Sequence, residues 1–267
     1  MKIILSPTKQ MVQEDTLPPL GMPVFLQESD YLLSWMKSLS PGEAQKLWQC
    51  SDKLARQAFE TTAHADVRDN LSPAVLAYDG IAFQYMAPVV FERAHFEYIQ
   101  EHLRILSGLY GVLKPMDGVT SYRLEMQSKI SAGGFSSLYD FWGRKIYAEV
   151  TREDDLIVNL ASKEYSRCVE KYLERPVRIV TCFFGEAVNG RLVQKGVHAK
   201  MARGAMVRFL AERRAEVPEA MKDFRELGFE FSTKDSSPER YVFIRKAKSL
   251  SGVESEKTGE HNQEELK

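Results

Sequence analysis

Leu156-Ile157-Val158-Asn159-Leu160, followed at once by Ala161-Ser162-Lys163-Glu164-Tyr165, is the stretch from which the fold can be read. The first five residues have the length and apolar density of a strand buried on both faces, and the polar residues after them open a helix over 163–173. Polar groups just beyond the carboxyl end of a strand are where α/β sheets place ligand sites. Ser162 also suits a second role, capping the helix that begins with Lys163-Glu164. Asn159 is harder to explain as a cap.

Working outward, strands and helices alternate along the chain without a clean βαβ repeat. Met1-Lys2-Ile3-Ile4-Leu5-Ser6-Pro7 reads as a short strand stopped by Pro7, followed by a Pro-rich loop over 17–23 and a helix near 30–39. Ser40-Pro41-Gly42-Glu43 carries a capping Ser, a Pro at the first helical position and a Glu three residues after the cap, which predicts a helix running to about residue 59. A strand and turn over 74–80 come next, then an amphipathic helix over 92–106 with Phe96, Ile99, Leu103 and Leu106 on one stripe. The remaining expected elements are a helix over 138–150, a strand over 177–184, an Asn189-Gly190 hairpin into 191–193, a basic helix over 198–214, a helix over 218–227, and strands at 229–231 and 241–244. This pattern predicts an α+β fold, one compact domain over 1–248 with a central mixed sheet and surrounding helices.

Composition sets the outer limits. The chain has 267 residues, 44% hydrophobic and 27% charged with net charge −1, which excludes disordered, collagenous and coiled-coil classes. No apolar run approaches the roughly 18 residues of a membrane span, and the N-terminal run is shorter than a signal peptide's, so a cytoplasmic protein is expected. Cys50, Cys168 and Cys182 form no CxxC pair, which argues against a disulfide framework or a zinc site. Residues 249–267 hold five acids against two lysines and read as a disordered acidic tail. Residues 191–248 carry 14 basic against 8 acidic residues, an excess suited to a polyanion.

Four segments can carry chemistry. In Leu103-Arg104-Ile105-Leu106-Ser107-Gly108-Leu109-Tyr110-Gly111-Val112-Leu113-Lys114-Pro115, the turn between Gly108 and Gly111 can present amides to a phosphate between Arg104 and Lys114, or simply end a helix. Tyr122-Arg123-Leu124-Glu125-Met126 and Leu138-Tyr139-Asp140-Phe141-Trp142-Gly143 interleave charge with aromatics, as a base-stacking wall does and as a core with a surface Arg123–Glu125 pair also would. The third is Asn159 to Tyr165. In the fourth, Lys200 and Arg203 share a helix face, either as phosphate contacts or as a solvated surface. Glu92-Arg93-Ala94-His95 is a single ExxH without a second copy, so no metal and no cofactor are expected.

Taken in order, Ile4 to Lys9, Ser51 to Ala55, Leu103 to Pro115, Tyr122 to Met126, Leu138 to Gly143, Asn159 to Ser166 and Lys200 to Gly204 resemble the bacterial peroxide stress protein YaaA family over about residues 1–246. The resemblance implies a cytosolic protein that protects cells from hydrogen peroxide, limits free intracellular iron and binds DNA. It also implies a positively charged cleft and a helix-hairpin-helix element, placed here on 96–117. Lys9, Arg104, Gly108, Gly111, Lys114, Arg123, Lys200 and Arg203 are the expected contacts to duplex or distorted DNA, made largely without regard to sequence by a monomer, with Asn159 also lining the cleft. A rival reading is an enzyme acting on a flipped or damaged base, or on a nucleotide, in the same cleft. Glu125, Glu164, Asn159 and Tyr165 are then the candidate catalytic residues, with Trp142 or Tyr165 against the base.

Overall fold

The computed structural model describes residues 1–245, so the expected acidic tail lies outside the described residues. One mixed sheet organises the chain. Its strands are β1 (Lys2–Leu5), β2 (Leu103–Ser107), β3 (Gly111–Leu113), β4 (Leu156–Asn159), β5 (Arg178–Val188), β6 (Arg191–Val193), β7 (Phe229–Phe231) and β8 (Arg240–Arg245). They lie in the order β7-β8-β5-β4-β1-β2-β3, with β6 folded back on β5. Five of them, β8-β5-β4-β1-β2, run parallel, and β3, β6 and β7 are antiparallel additions. Residues Lys2 to Leu5 and Leu103 to Ser107 are buried throughout, as parallel strands covered on both faces must be.

The helices that matter below are α1 (Leu26–Lys37), α2 (Pro41–Trp48), α3 (Asp52–His64), α4 (Ile81–Met86), α5 (Arg93–His102), α6 (Leu138–Trp142), α7 (Lys145–Val150), α8 (Lys163–Glu170) and α9 (Gly196–Arg213). The capping box forms as read: Ser40 N–H donates to Glu43 Oε2 at 2.8 Å, and Glu43 N–H donates to Ser40 Oγ at 3.4 Å. The helix it starts is shorter than expected, because Gln49 turns left-handed (φ 45°) and Ser51 begins α3. Asn189 and Gly190 adopt positive φ and join β5 to β6 as a tight hairpin.

Three expectations need correction around residues 74–150. Residues Ala74–Ala77 form one helical turn rather than a strand. The helix expected over 138–150 breaks at Gly143 into α6 and α7. The helix expected over 92–106 stops at His102, and Leu103–Ser107 becomes the parallel partner of β1. A short apolar run satisfies helix and strand spacing alike, and burial between β1 and β3 selects the strand. The helix-hairpin-helix expected on 96–117 is therefore one helix followed by the β2–β3 hairpin.

The glycines of that hairpin serve packing. A Cβ on Gly108 would overlap the carbonyl oxygen of Leu124, and its own carbonyl accepts the indole N–H of Trp142 at 3.0 Å. Leu109 and Tyr110 between the two glycines are wholly buried. The turn is closed to a DNA backbone, and its close approach to Leu124 instead positions the segment 122–125.

Candidate functional site

The chain leaves β1 for β2 and β3 on one side, then returns to β4, β5 and β8 on the other, so the connections diverge between β1 and β4. The carboxyl ends of adjacent parallel strands at such a divergence leave a crevice that helices do not fill. Here it is a pocket of about 390 Å³. Residues 5–10 after β1 and residues 160–165 after β4 form its floor and one side; residues 79–82, residues 122–125, and Lys200 and Arg203 of α9 complete it.

Local chemistry fixes each wall. Ser6 Oγ accepts the Ser162 N–H at 2.8 Å and meets the Ser162 hydroxyl at 3.1 Å, which ties the two strand ends together. Ser162 occupies the N-cap position of α8, but its hydroxyl is used in this way and makes no cap hydrogen bond. Behind the pocket, Tyr122 Oη lies 2.7 Å from Tyr78 Oη and 2.6 Å from Ser107 Oγ in a buried hydroxyl chain, and burial pushes the Tyr122 phenol up to about 12. A Cβ on Gly204 would overlap the carbonyl oxygen of Ala82, so only glycine lets α9 lie against α4 and bring Lys200 and Arg203 over the pocket.

Seven of the sequence-derived candidates converge there: Lys9, Arg123, Glu125, Glu164, Tyr165, Lys200 and Arg203. Lys9 Nζ pairs with Glu125 at 2.8 Å, so the expected Arg123–Glu125 pair is replaced by one across the mouth. Glu164, which accepts the Gln127 N–H at 3.2 Å, is raised above the usual carboxylate range by burial, with the Glu125 charge adding to the rise. Burial also pushes the Tyr165 phenol well above its ordinary value.

Three cations of the lining are uncompensated. Among the described residues no ion pair forms at Arg123, Lys200 or Arg203, and the Nε atoms of Arg123 and Arg203 are buried without a hydrogen-bond partner. Burial lowers the Arg203 guanidinium, and the neighbouring Cys182 acts in the opposite direction. A buried charge without a partner is costly, and a polar atom left unsatisfied in a folded protein calls for a specific explanation.

The remaining candidates lie elsewhere. Arg104 is at the amino-terminal end of β2, on the opposite rim of the sheet, 3% exposed, with Nη1 donating to the carbonyls of Gln100, Glu101 and Leu103 at 2.9–3.2 Å and Nη2 3.6 Å from Glu153. Lys114 lines the same rim, its N–H donating to Asp117 at 2.8 Å. Asn159 is buried at the end of β4. Its amide donates to Glu170 at 3.0 Å and Thr181 at 3.3 Å and its oxygen accepts the Ala161 N–H at 3.0 Å, which braces α8 against the sheet. Trp142 is buried under Gly108, outside the pocket lining.

Sequence reasoning passed over the wall at Asp79-Gly80-Ile81-Ala82. Thr8 Oγ1 donates to the Asp79 carbonyl at 3.0 Å, and the Asp79 carboxylate accepts from Gln10 and Gln84, each at 3.0 Å. The Asp-Gly turn there was the available signal. Cys168 and Cys182 are buried thiols pushed up to about 12 by burial, far from the thiolate that peroxide attacks.

An α+β domain organised on one mixed sheet, with a pocket where its parallel strands diverge, is the class that this fold defines. Comparison with known sequences makes the assignment specific. The chain belongs to the peroxide stress protein YaaA family, whose sequence profile matches residues 1–235. It is similar to UPF0246 proteins from Agathobacter rectalis, 52% identical over 92% of this chain and 99% of the relative, and from Lachnoclostridium phytofermentans, 48% identical over 92% and 96%. A UPF0246 protein from Desulfitobacterium hafniense is 48% identical over 92% of this chain and 98% of its own length.

Proposed function

We propose that this chain serves the peroxide stress response by binding DNA through the pocket at the carboxyl ends of β1 and β4. The observation that carries this reading is the unpaired set Arg123, Lys200 and Arg203, with two guanidinium Nε atoms buried and unpartnered. Phosphate satisfies such a set by charge-assisted hydrogen bonds, Arg being suited by its fork geometry and Lys by its point charge. A concave site favours distorted DNA, in which one phosphate and its sugar can leave the regular backbone, over an undeformed duplex. Contacts of this kind do not read sequence. Limitation of free iron enters the proposal as an indirect consequence, and among the described residues no group of three or more His, Cys, Asp or Glu side chains is placed to hold a metal ion.

The test is binding of the purified chain to duplex, bubble and single-stranded DNA across a range of salt. Affinity that falls steeply with salt and weakens at least tenfold in Arg203→Met supports the proposal; salt-independent binding, or binding untouched by Arg203→Met, refutes it.

The enzyme reading is favoured by one observation, the half-buried Glu164, raised above its ordinary value by burial and lining the same pocket as Glu125. A carboxyl in that state suits general acid–base work on a nucleobase. Glu125→Gln separates the readings: abolished peroxide protection in cells with intact DNA affinity supports catalysis, and loss of both or of neither opposes it.

A further inference from the structure

The DNA-binding reading asks only for cations, yet the pocket lining carries both signs of charge. Arg123, Lys200 and Arg203 line it without an ion pair among the described residues. Glu125, held by Lys9 at 2.8 Å, and Glu164 line the same pocket. Leu5, Ile81, Leu124, Leu160, Tyr122 and Tyr165 add apolar surface. A pocket of about 390 Å³ is at the small end of ligand sites, matching a single compact molecule.

A ligand that satisfies all three parts carries an oxyanion, a flat apolar body and hydrogen-bond donors. Together these describe one nucleotide whose base bears an exocyclic amino group. We propose that the pocket is a mononucleotide site, taking the phosphate of a nucleoside 5′-monophosphate, free or extruded from a strand, on Arg123, Lys200 and Arg203. The base lies along the apolar wall and donates from its amino group to Glu164 and Glu125. Adenine, guanine and cytosine offer that amino donor and thymine does not; carboxylate acceptance from such a group is an established mode of base reading.

The inference rests on the pocket assigned above to DNA, but its readout differs. The experiment is calorimetric titration of the full chain with 5′-dAMP, 5′-dGMP, 5′-dCMP and 5′-TMP, with the matching nucleosides and inorganic phosphate alongside. The expected result is saturable 1:1 binding of the three amino-bearing nucleotides at least fivefold tighter than 5′-TMP. Loss of at least tenfold is expected in both Arg203→Met and Lys200→Ala, and loss of the preference over 5′-TMP in Glu164→Gln. Glu164→Gln keeps an oxygen for the Gln127 N–H, and agreement between the two cation variants guards against misfolding of either. Absence of nucleotide binding while DNA still binds overturns this inference and leaves the DNA reading intact. Equal affinity for inorganic phosphate and the nucleotides, or for 5′-TMP and 5′-dGMP, overturns it as well. Nucleotide binding with no DNA binding sustains it and overturns the DNA reading.

Discussion

The two rims of the sheet treat positive charge in opposite ways. At the amino-terminal rim every buried cation has an answer. Lys2, 6% exposed, pairs with Glu153 at 3.1 Å and donates to the Glu101 carbonyl; the N-terminal ammonium pairs with Asp154; and Arg104 is divided among three carbonyls and Glu153. At the carboxyl-terminal rim Arg123, Lys200 and Arg203 have none among the described residues. The same residue type is thus structural on one rim and poised for a ligand on the other. What distinguishes the two is whether the chain itself supplies the counter-charge. Burying a charge without that supply reduces stability, and a fold retains the defect where function uses it.

The contrast breaks most visibly through Arg104→Met. Removing the guanidinium takes a buried donor from the Gln100, Glu101 and Leu103 carbonyls and leaves Glu153 to Lys2 and Arg152, so unfolding in urea should show a loss of about 3 kcal/mol with DNA affinity unchanged. A change in DNA binding with stability retained would place the two rims in one site.

Asp117 tests the amino-terminal rim by pH. It is 6% exposed, and burial holds its carboxyl at about 6 against 3.8 for a free one, despite the hydrogen bond from Lys114 N–H and the charges of Lys114 and Arg104. The native state therefore holds its proton to higher pH than the unfolded chain. The resulting stability is complete below about pH 4 and is lost as pH rises through 6, a change on the order of 2 kcal/mol. Asp117→Asn, which retains an acceptor for Lys114 N–H, should flatten that part of the stability–pH curve. An unaltered curve would show that Asp117 does not titrate in this way.

At the carboxyl-terminal rim the sign of the stability change reverses. Arg203→Met removes an unpaired, half-buried charge whose Nε is fully buried, and should raise stability by about 1 kcal/mol in the same denaturation measurement while DNA affinity falls. Destabilisation comparable to that of Arg104→Met would mean that Arg203 has a structural partner after all, and would erase the distinction between the rims. The smallest effect is expected at Lys200, which is exposed. Lys200→Ala should weaken all DNA sequences alike and lower the slope of log affinity against log salt by about one. An unchanged slope would remove Lys200 from the interface.

Much of the scaffold was legible in order along the chain. The apolar run at 156–160, the Ser40 cap, the Asn189-Gly190 turn and the basic helix now seen as Gly196–Arg213 are local signals, written in neighbouring residues and visible without the fold. Seven candidate side chains reach one pocket because they lie where strands end or on the helix packed over them. The failures share a cause. Gly108 and Gly111 suggested a phosphate turn because small residues are needed wherever backbones approach, and only the fold shows that the approaching group is the Leu124 carbonyl rather than a ligand. Arg104 and Arg203 cannot be told apart by composition or by spacing.

The sequence by itself determined the α+β class, most strands of the sheet though not β2 and β3, and the set of polar residues from which a site can be built, because propensity, capping and hydrophobic period act over a few residues. The tertiary structure alone decided which of those residues face one another and which cations are already satisfied. Ser6 meets Ser162, Lys9 meets Glu125 and Gly204 meets Ala82 across long intervals of chain. Charge compensation is a property of distance in space, and sheet order sets that distance by placing the ends of β1 and β4 side by side.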